Sequence, residues 1–127
     1  MKPQILVVDD DRGMCELLEL GLARRGFQVR WTTEPRKVLE LLQQDFYEAV
    51  VTDLNMPGQD GIELTRQLVG NRSDLPVIVI TAFGSMESAV EAMRAGAYDF
   101  VTKPLEVDSL ALVLQRAVQH RALREEV

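Results

Sequence analysis

The sequence predicts an α/β domain, a parallel sheet wound on both faces by helices. Two observations predict it. Short apolar runs alternate five times with segments whose apolar residues recur at helical spacing. Several of the runs are apolar almost throughout: Ile5-Leu6-Val7-Val8, Ala49-Val50-Val51-Thr52 and Val77-Ile78-Val79-Ile80. Strands covered on both faces read this way, because neither face needs polar residues. A chain of 127 residues suits one domain with a single core.

Gln4 to Val8 is the first strand. A helix follows from about Arg12 to Arg25, with Met14, Leu17, Leu18, Gly21 and Leu22 on one face. Asp11 caps its start, Arg24 and Arg25 suit its negative end, and Gly26 stops it. The second strand, Val29 to Thr32, is the most polar and is assigned to an edge. Thr33 as cap and Pro35 in the first turn open the second helix, which runs to about Gln44 with Val38, Leu41 and Leu42 inward. Ala49 to Asp53 is the third strand. Met56-Pro57-Gly58 keeps the stretch from Leu54 to Asp60 from being helical throughout. A third helix spans about Gly61 to Val69, and a turn from Asn71 to Pro76 leads into the fourth strand, Val77 to Ile80. Gly84 and Ser85 introduce the fourth helix, which ends near Ala95-Gly96. Asp99 to Thr102 is the fifth strand, broken by Lys103-Pro104. The last helix starts near Val107, with Leu110, Val113, Leu114, Ala117 and Val118 as its buried stripe. It ends on the charged residues Arg121, Arg124, Glu125 and Glu126.

The bulk numbers exclude several classes. A net charge of −6 argues against direct nucleic-acid binding. Cys15 is the only cysteine, so no internal disulfide forms, in keeping with a reducing cytoplasm. The apolar run after Met1-Lys2-Pro3 is too short for a signal peptide. Nothing approaches the roughly 20 apolar residues of a membrane span. The expected location is cytoplasmic, away from the membrane.

Asp9, Asp10, Asp53, Thr81 and Lys103 each sit at or just past a strand end. Parallel strands bring them to one edge of the sheet, where open α/β sheets bind ligands. Asp11 is expected to act only as a cap. Asp9 and Asp10 would repel Asp53 unless a cation joined them, and Mg²⁺ favours such an oxygen set. Asp53 has no helix start close behind it, so capping does not explain it. A carboxylate there can attack phosphorus to give an acyl phosphate. That chemistry needs in-line positioning and charge neutralisation, which Lys103 and the Thr81 hydroxyl can support. Taken singly, Lys103 reads as a surface charge and Thr81 as a good strand former. Five such residues at corresponding strand ends argue against coincidence.

These residues fall in motifs that resemble the receiver domain of bacterial two-component response regulators. The motifs are Val7-Val8-Asp9-Asp10-Asp11, Thr52-Asp53-Leu54-Asn55-Met56-Pro57-Gly58-Gln59-Asp60-Gly61, Thr81-Ala82 and Lys103-Pro104. The resemblance spans essentially residues 1–127 and implies a flavodoxin-like (βα)5 fold with strand order 2-1-3-4-5. It implies Asp53 as phosphoacceptor, with Mg²⁺ held by Asp10, Asp53 and the backbone carbonyl of Asn55, and by Asp9 through water. Thr81 and Lys103 would contact the phosphoryl oxygens, and Lys103-Pro104 would be a cis peptide. The donor would be a sensor histidine kinase. The resemblance further implies a switch: Thr81 moves toward the phosphoryl group, and Phe100 turns inward. The fourth helix, fifth strand and last helix would change together. Plain core packing is the other reading of Phe100.

Ala82-Phe83-Gly84 and the stretch from Ala95 to Phe100 look like enhancer-binding, nitrogen-regulator-like activators of transcription. Residues from about 119 to 127 would then begin a linker to an output domain, and the last two helices would support a homodimer. Asn55 and Phe83 would flank the path of attacking water.

Two other functions compete. An aspartate-nucleophile phosphatase for small molecules would use Asp9 and Asp11, with Lys103 on the phosphate, and would leave Asp53 without a role. A degenerate receiver acting only as an interaction module conflicts with an intact set of five pocket residues. His120, Trp31 and Tyr98 receive no ligand role; His120 is expected in solvent, and Cys15 is expected to pack rather than react.

Overall fold

Five parallel strands form one sheet in the order β2-β1-β3-β4-β5. They are β1 (Gln4–Val8), β2 (Gln28–Thr32), β3 (Ala49–Asp53), β4 (Val77–Thr81) and β5 (Asp99–Thr102). The helices are α1 (Arg12–Ala23), α2 (Val38–Gln44), α3 (Gly61–Asn71), α4 (Met86–Arg94) and α5 (Val107–Glu126). The computed structural model describes residues 2–82 and 84–126. The Phe83 expectation lies outside the described residues, as do the side chains of Arg124, Glu125 and Glu126.

The sheet divides the core into two layers. On one face Ile5, Val7, Val51, Ile78 and Ile80 pack with Leu18 and Leu22 of α1 and Leu110 and Leu114 of α5. On the other, Leu6, Val8, Val50 and Val79 pack with Leu42, Leu64, Leu68 and Ala92. Alternate residues of the same strands feed opposite layers, as the two-residue strand period requires. Each fully buried Leu or Ile contributes about 1.5–3 kcal/mol.

Local signals account for most helix boundaries. Asp11 Oδ1 accepts from the Met14 N–H at 3.3 Å, which caps α1. Arg24 is the C-cap and Gly26 follows at φ +93, a backbone region that favours glycine. Arg25 donates to the Gly21 carbonyl at 2.7 Å, so it serves the helix end as expected.

Several expectations need correction. Leu17 is 52% exposed, whereas its neighbour Cys15 is fully buried beside Leu18 and Leu22. Leu18 and Leu22 are buried and Met14 packs against them as expected, so the covered stripe of α1 takes in Cys15 and leaves out Leu17. Leu41 is only half-buried, while Val38 and Leu42 are buried. The chain enters α2 through a 3-10 turn, Pro35–Lys37, with Glu34 as its cap in place of Thr33. The reason is local: Thr32 Oγ1 accepts the Glu34 N–H at 3.1 Å and bends the chain one residue later. Helix α3 extends to Asn71, beyond the expected Val69. Arg121, in the charged stretch that ends α5, is 7% exposed. It pairs with Asp74 Oδ2 at 3.0 Å, and its guanidinium lies 4.9 Å from the Phe46 ring centre. The long arginine stem lets the helix end reach under the base of the sheet. His120 is exposed, as expected, with its ring 5.9 Å from that of Tyr98. No helix among the described residues is long and apolar enough to cross a membrane.

Candidate functional site

Strand register assembles the acidic pocket. Val8 stands beside Thr52, so the next residues, Asp9 and Asp53, leave the sheet as neighbours. Asp53 is paired with Ile80, which puts Thr81 one step beyond it, and Thr81 is paired with Thr102, just before Lys103. All five sequence-chosen residues therefore lie along the carboxyl edge of four adjacent strands. Among the described residues, Asp9, Asp10 and Asp53 each offer a carboxylate oxygen within 4.8 Å of the others.

Asp9 is 2% exposed and Asp53 is 3% exposed, while Asp10 faces solvent. The backbone holds the two buried acids from several sides. Asp9 donates its N–H to the Thr32 carbonyl at 3.2 Å, and its Oδ1 accepts from the Asp11 N–H at 2.9 Å. Asp53 Oδ1 accepts from the Asn55 N–H at 2.8 Å. Asp53 Oδ2 lies 2.8 Å from Lys103 Nζ.

The loop after β3 closes over this carboxylate. Asn55 and Met56 pair with Gln59 and Asp60 in a short antiparallel ladder. Asp60 Oδ1 then accepts from the Ile62 and Glu63 N–H groups and starts α3. Gly61 makes the closure possible, since a Cβ there would stand 2.6 Å from both Cα and O of Leu54. No side chain fits that gap without moving the residue next to Asp53. On the far side Lys103 donates its backbone N–H to the Thr81 carbonyl at 2.9 Å, and the Lys103-Pro104 peptide is cis.

The electrostatics follow from burial. Loss of water pushes the Asp9 carboxyl up to about 6; the Asp11 N–H opposes this, and Asp53 and Asp10 add to it. The hydrogen bond to Asp53 raises Lys103, so its ammonium form persists. The Thr81 hydroxyl is fully buried and has no hydrogen-bond partner among the described residues. Such an atom is costly unless something in the functional state binds it. The donor set is all oxygen with clustered negative charge, which fits Mg²⁺ and not a softer metal.

Phe100 is not part of the pocket. It is half-buried on β5 and lines a groove of about 170 Å³ with Gly84, Ser85, Met86, Ala89 and Thr102. Sequence reasoning also missed one contributor. Cys15 Sγ donates to the Asp9 carbonyl at 3.3 Å. The available signal was its position in the first turn of α1, where Cα–Cβ bonds tilt back toward the helix start.

Known proteins resemble this chain in sequence and in fold. The regulatory protein AtoC of Escherichia coli (strain K12) is 36% identical over 124 residues, covering 98% of this chain and 27% of that protein. The C4-dicarboxylate transport transcriptional regulatory protein DctD of Pseudomonas aeruginosa is 42% identical over 120 residues, covering 94% of this chain and 26% of that protein. The crystal structure of NtrX from Brucella abortus in complex with ADP has a TM-score of 0.92 at 34% identity, covering 99% of this chain and 29% of that one. The chain thus spans about a quarter of the length of these curated relatives. The model of the response regulator receiver domain matches residues 5–115, which include the acidic pocket and all five strands but for Gln4 at the start of β1. With that match over most of its length, the chain belongs to the response regulator receiver domain family.

Proposed function

We propose that this chain is a phosphorylation-activated switch whose phosphoacceptor is Asp53. The observation that carries the reading is the placement of the Asp53 carboxylate between an acid pair and an ammonium group. In the reaction an Asp53 oxygen forms a bond to phosphorus as the bond from phosphorus to the donor's imidazole nitrogen breaks. The electron pair goes to the imidazole, which takes up a proton. The donor is a sensor histidine kinase, by the family resemblance.

Asp10, Asp53 and the Asn55 carbonyl would hold Mg²⁺ directly, and Asp9 through water. When bound, the ion supplies positive charge to the phosphoryl oxygens. Lys103 neutralises the remaining charge, and Thr81 offers its buried hydroxyl as a donor. The ammonium lies on Asp53 and not on Asp9, which favours this reading over a phosphatase built on Asp9.

The output side is the face formed by α4, β5 and α5. Thr81 and Phe100 would couple it to the pocket as a population shift between two states. Helix α4 exposes Met86, Val90 and Met93 near Phe100, an apolar surface suited to a homodimer. The transcriptional relatives support an output domain after α5, of the enhancer-binding kind, in a cytoplasmic regulator. The receiver would comprise residues 1–127, with the linker starting near residue 119.

The test is incubation with Mg²⁺ and a small acyl-phosphate donor, followed by intact mass and Trp31 fluorescence. One labile phosphoryl group is expected, lost in Asp53→Asn. Repeated substrate turnover that depends on Asp9 would instead mark a phosphatase. Sedimentation with and without fluoroberyllate tests the dimer.

A further inference from the structure

We propose that Cys15 is a positioning residue for the acid pair, holding the turn between β1 and α1 by a sulfhydryl hydrogen bond to the Asp9 carbonyl. The role rests on the phosphoacceptor reading, in which Asp9 and Asp10 serve the cation. The sulfur is fully buried and lies 3.3 Å from the carbonyl oxygen.

The peptide bond explains why this contact matters. The Asp9 carbonyl and the Asp10 N–H belong to one rigid plane. Fixing the oxygen fixes the plane from which the Asp10 side chain projects. Asp10 is the exposed member of the acid cluster, so burial does not fix it as it fixes Asp9 and Asp53. Asp9 is tied down three times: through its N–H to Thr32, through Oδ1 to the Asp11 N–H, and through its carbonyl to Cys15. The first two partners are backbone atoms that any sequence supplies. Only the third comes from a side chain, so only it depends on which residue stands at position 15.

Cysteine is a weak donor, but the site is dry and the acceptor has little access to water. Groups that orient metal ligands in this indirect way commonly influence affinity.

The test compares Cys15→Ser, which keeps a donor, with Cys15→Ala and Cys15→Val, which remove it. Mg²⁺ is titrated while the amide resonances of Asp10 and Asp11 are followed, and amide exchange at both residues is measured without metal. Ala and Val are expected to bind Mg²⁺ about 3- to 10-fold more weakly, below the full range for such partners because the donor is sulfur. Their Asp10 and Asp11 amides should exchange faster, and Ser should restore both readouts. Ala and Val variants that match the parent in both overturn the proposal. So does a Ser variant that falls with them, since packing alone would then be at work. If the unsubstituted chain shows no Mg²⁺-dependent shift, the phosphoacceptor reading itself fails and the positioning role goes with it. Melting temperatures of the three variants identify any that has lost its fold; two donor-free variants keep the comparison available.

Discussion

Lys103 Nζ stands 2.8 Å from Asp53 Oδ2, although fifty residues of sequence separate them. The carboxylate is 4% exposed and the lysine 39%, so the acid is the buried partner and the ammonium reaches in from the surface. Lys103→Met would leave Asp53 with its Asn55 hydrogen bond and no adjacent cation. Solvent screening of the exposed lysine limits the stability loss to about 1 kcal/mol. The chemical loss should be larger, about 10²-fold in the rate of phosphoryl uptake, as for removal of one donor to developing charge. A mass time course with a small acyl phosphate measures it.

Thr81 presents the opposite balance. Its buried hydroxyl has no partner among the described residues, so Thr81→Val should stabilise the unphosphorylated domain by up to about 1 kcal/mol. The same change removes the donor proposed for the phosphoryl group. Urea unfolding should show the gain, and the fluoroberyllate-bound form should show a smaller gain or a loss. A hydroxyl that matters only in the activated state produces this reversal.

Asp9 makes stability depend on pH in a calculable direction. Its carboxyl is raised from 3.8 to about 6 in the folded chain. Between these values the folded state holds more protons than the unfolded state. Stability from this group is full below about pH 4 and is lost as pH rises through about 6. Asp9→Asn should therefore stabilise the metal-free domain by up to about 2–3 kcal/mol at pH 7.5 and by little near pH 4. Thermal melts of both chains across that range isolate the effect from other titrating groups. Mg²⁺ favours the ionised carboxylate, so its affinity for the parent chain should fall as pH drops below about 6.

Gly61→Ala tests the loop that covers Asp53. The added methyl would meet the Leu54 backbone at 2.6 Å. Backbone cannot swing aside as a side chain can, so the expected cost is about 1–3 kcal/mol. The displacement falls beside Asp53, the proposed phosphoacceptor, and phosphoryl uptake should slow as well. Gly70→Ala is the control, because its added methyl meets nothing within 4 Å.

The strands were legible because burial on both faces leaves continuous apolar runs, as in Val77 to Ile80. The pocket was legible for a related reason: each chosen residue follows such a run, and parallel register brings their ends together. The place of Leu17 on α1 was not. Leu17 and Cys15 are both apolar, and hydrophobicity cannot tell which of them the sheet covers; packing buried the cysteine. The burial of Arg121 was not legible either, since its charge alone does not show that Asp74 stands beside it. The cap of the 3-10 turn leading into α2 slipped from Thr33 to Glu34 because the Thr32 side chain competed for the turn. The depth of Asp9 and the isolation of the Thr81 hydroxyl depend on three-dimensional packing, which strand spacing does not encode.

The central claim is tested most directly by locating a phosphoryl group. The parent chain and Asp53→Asn are incubated with Mg²⁺ and a small acyl-phosphate donor, then digested under acid and mapped by mass spectrometry. The account predicts one hydroxylamine-labile phosphoryl group on the peptide carrying Asp53, dependent on Mg²⁺ and absent from the variant. A phosphoryl group on another residue, or equal labelling of Asp53→Asn, would contradict it.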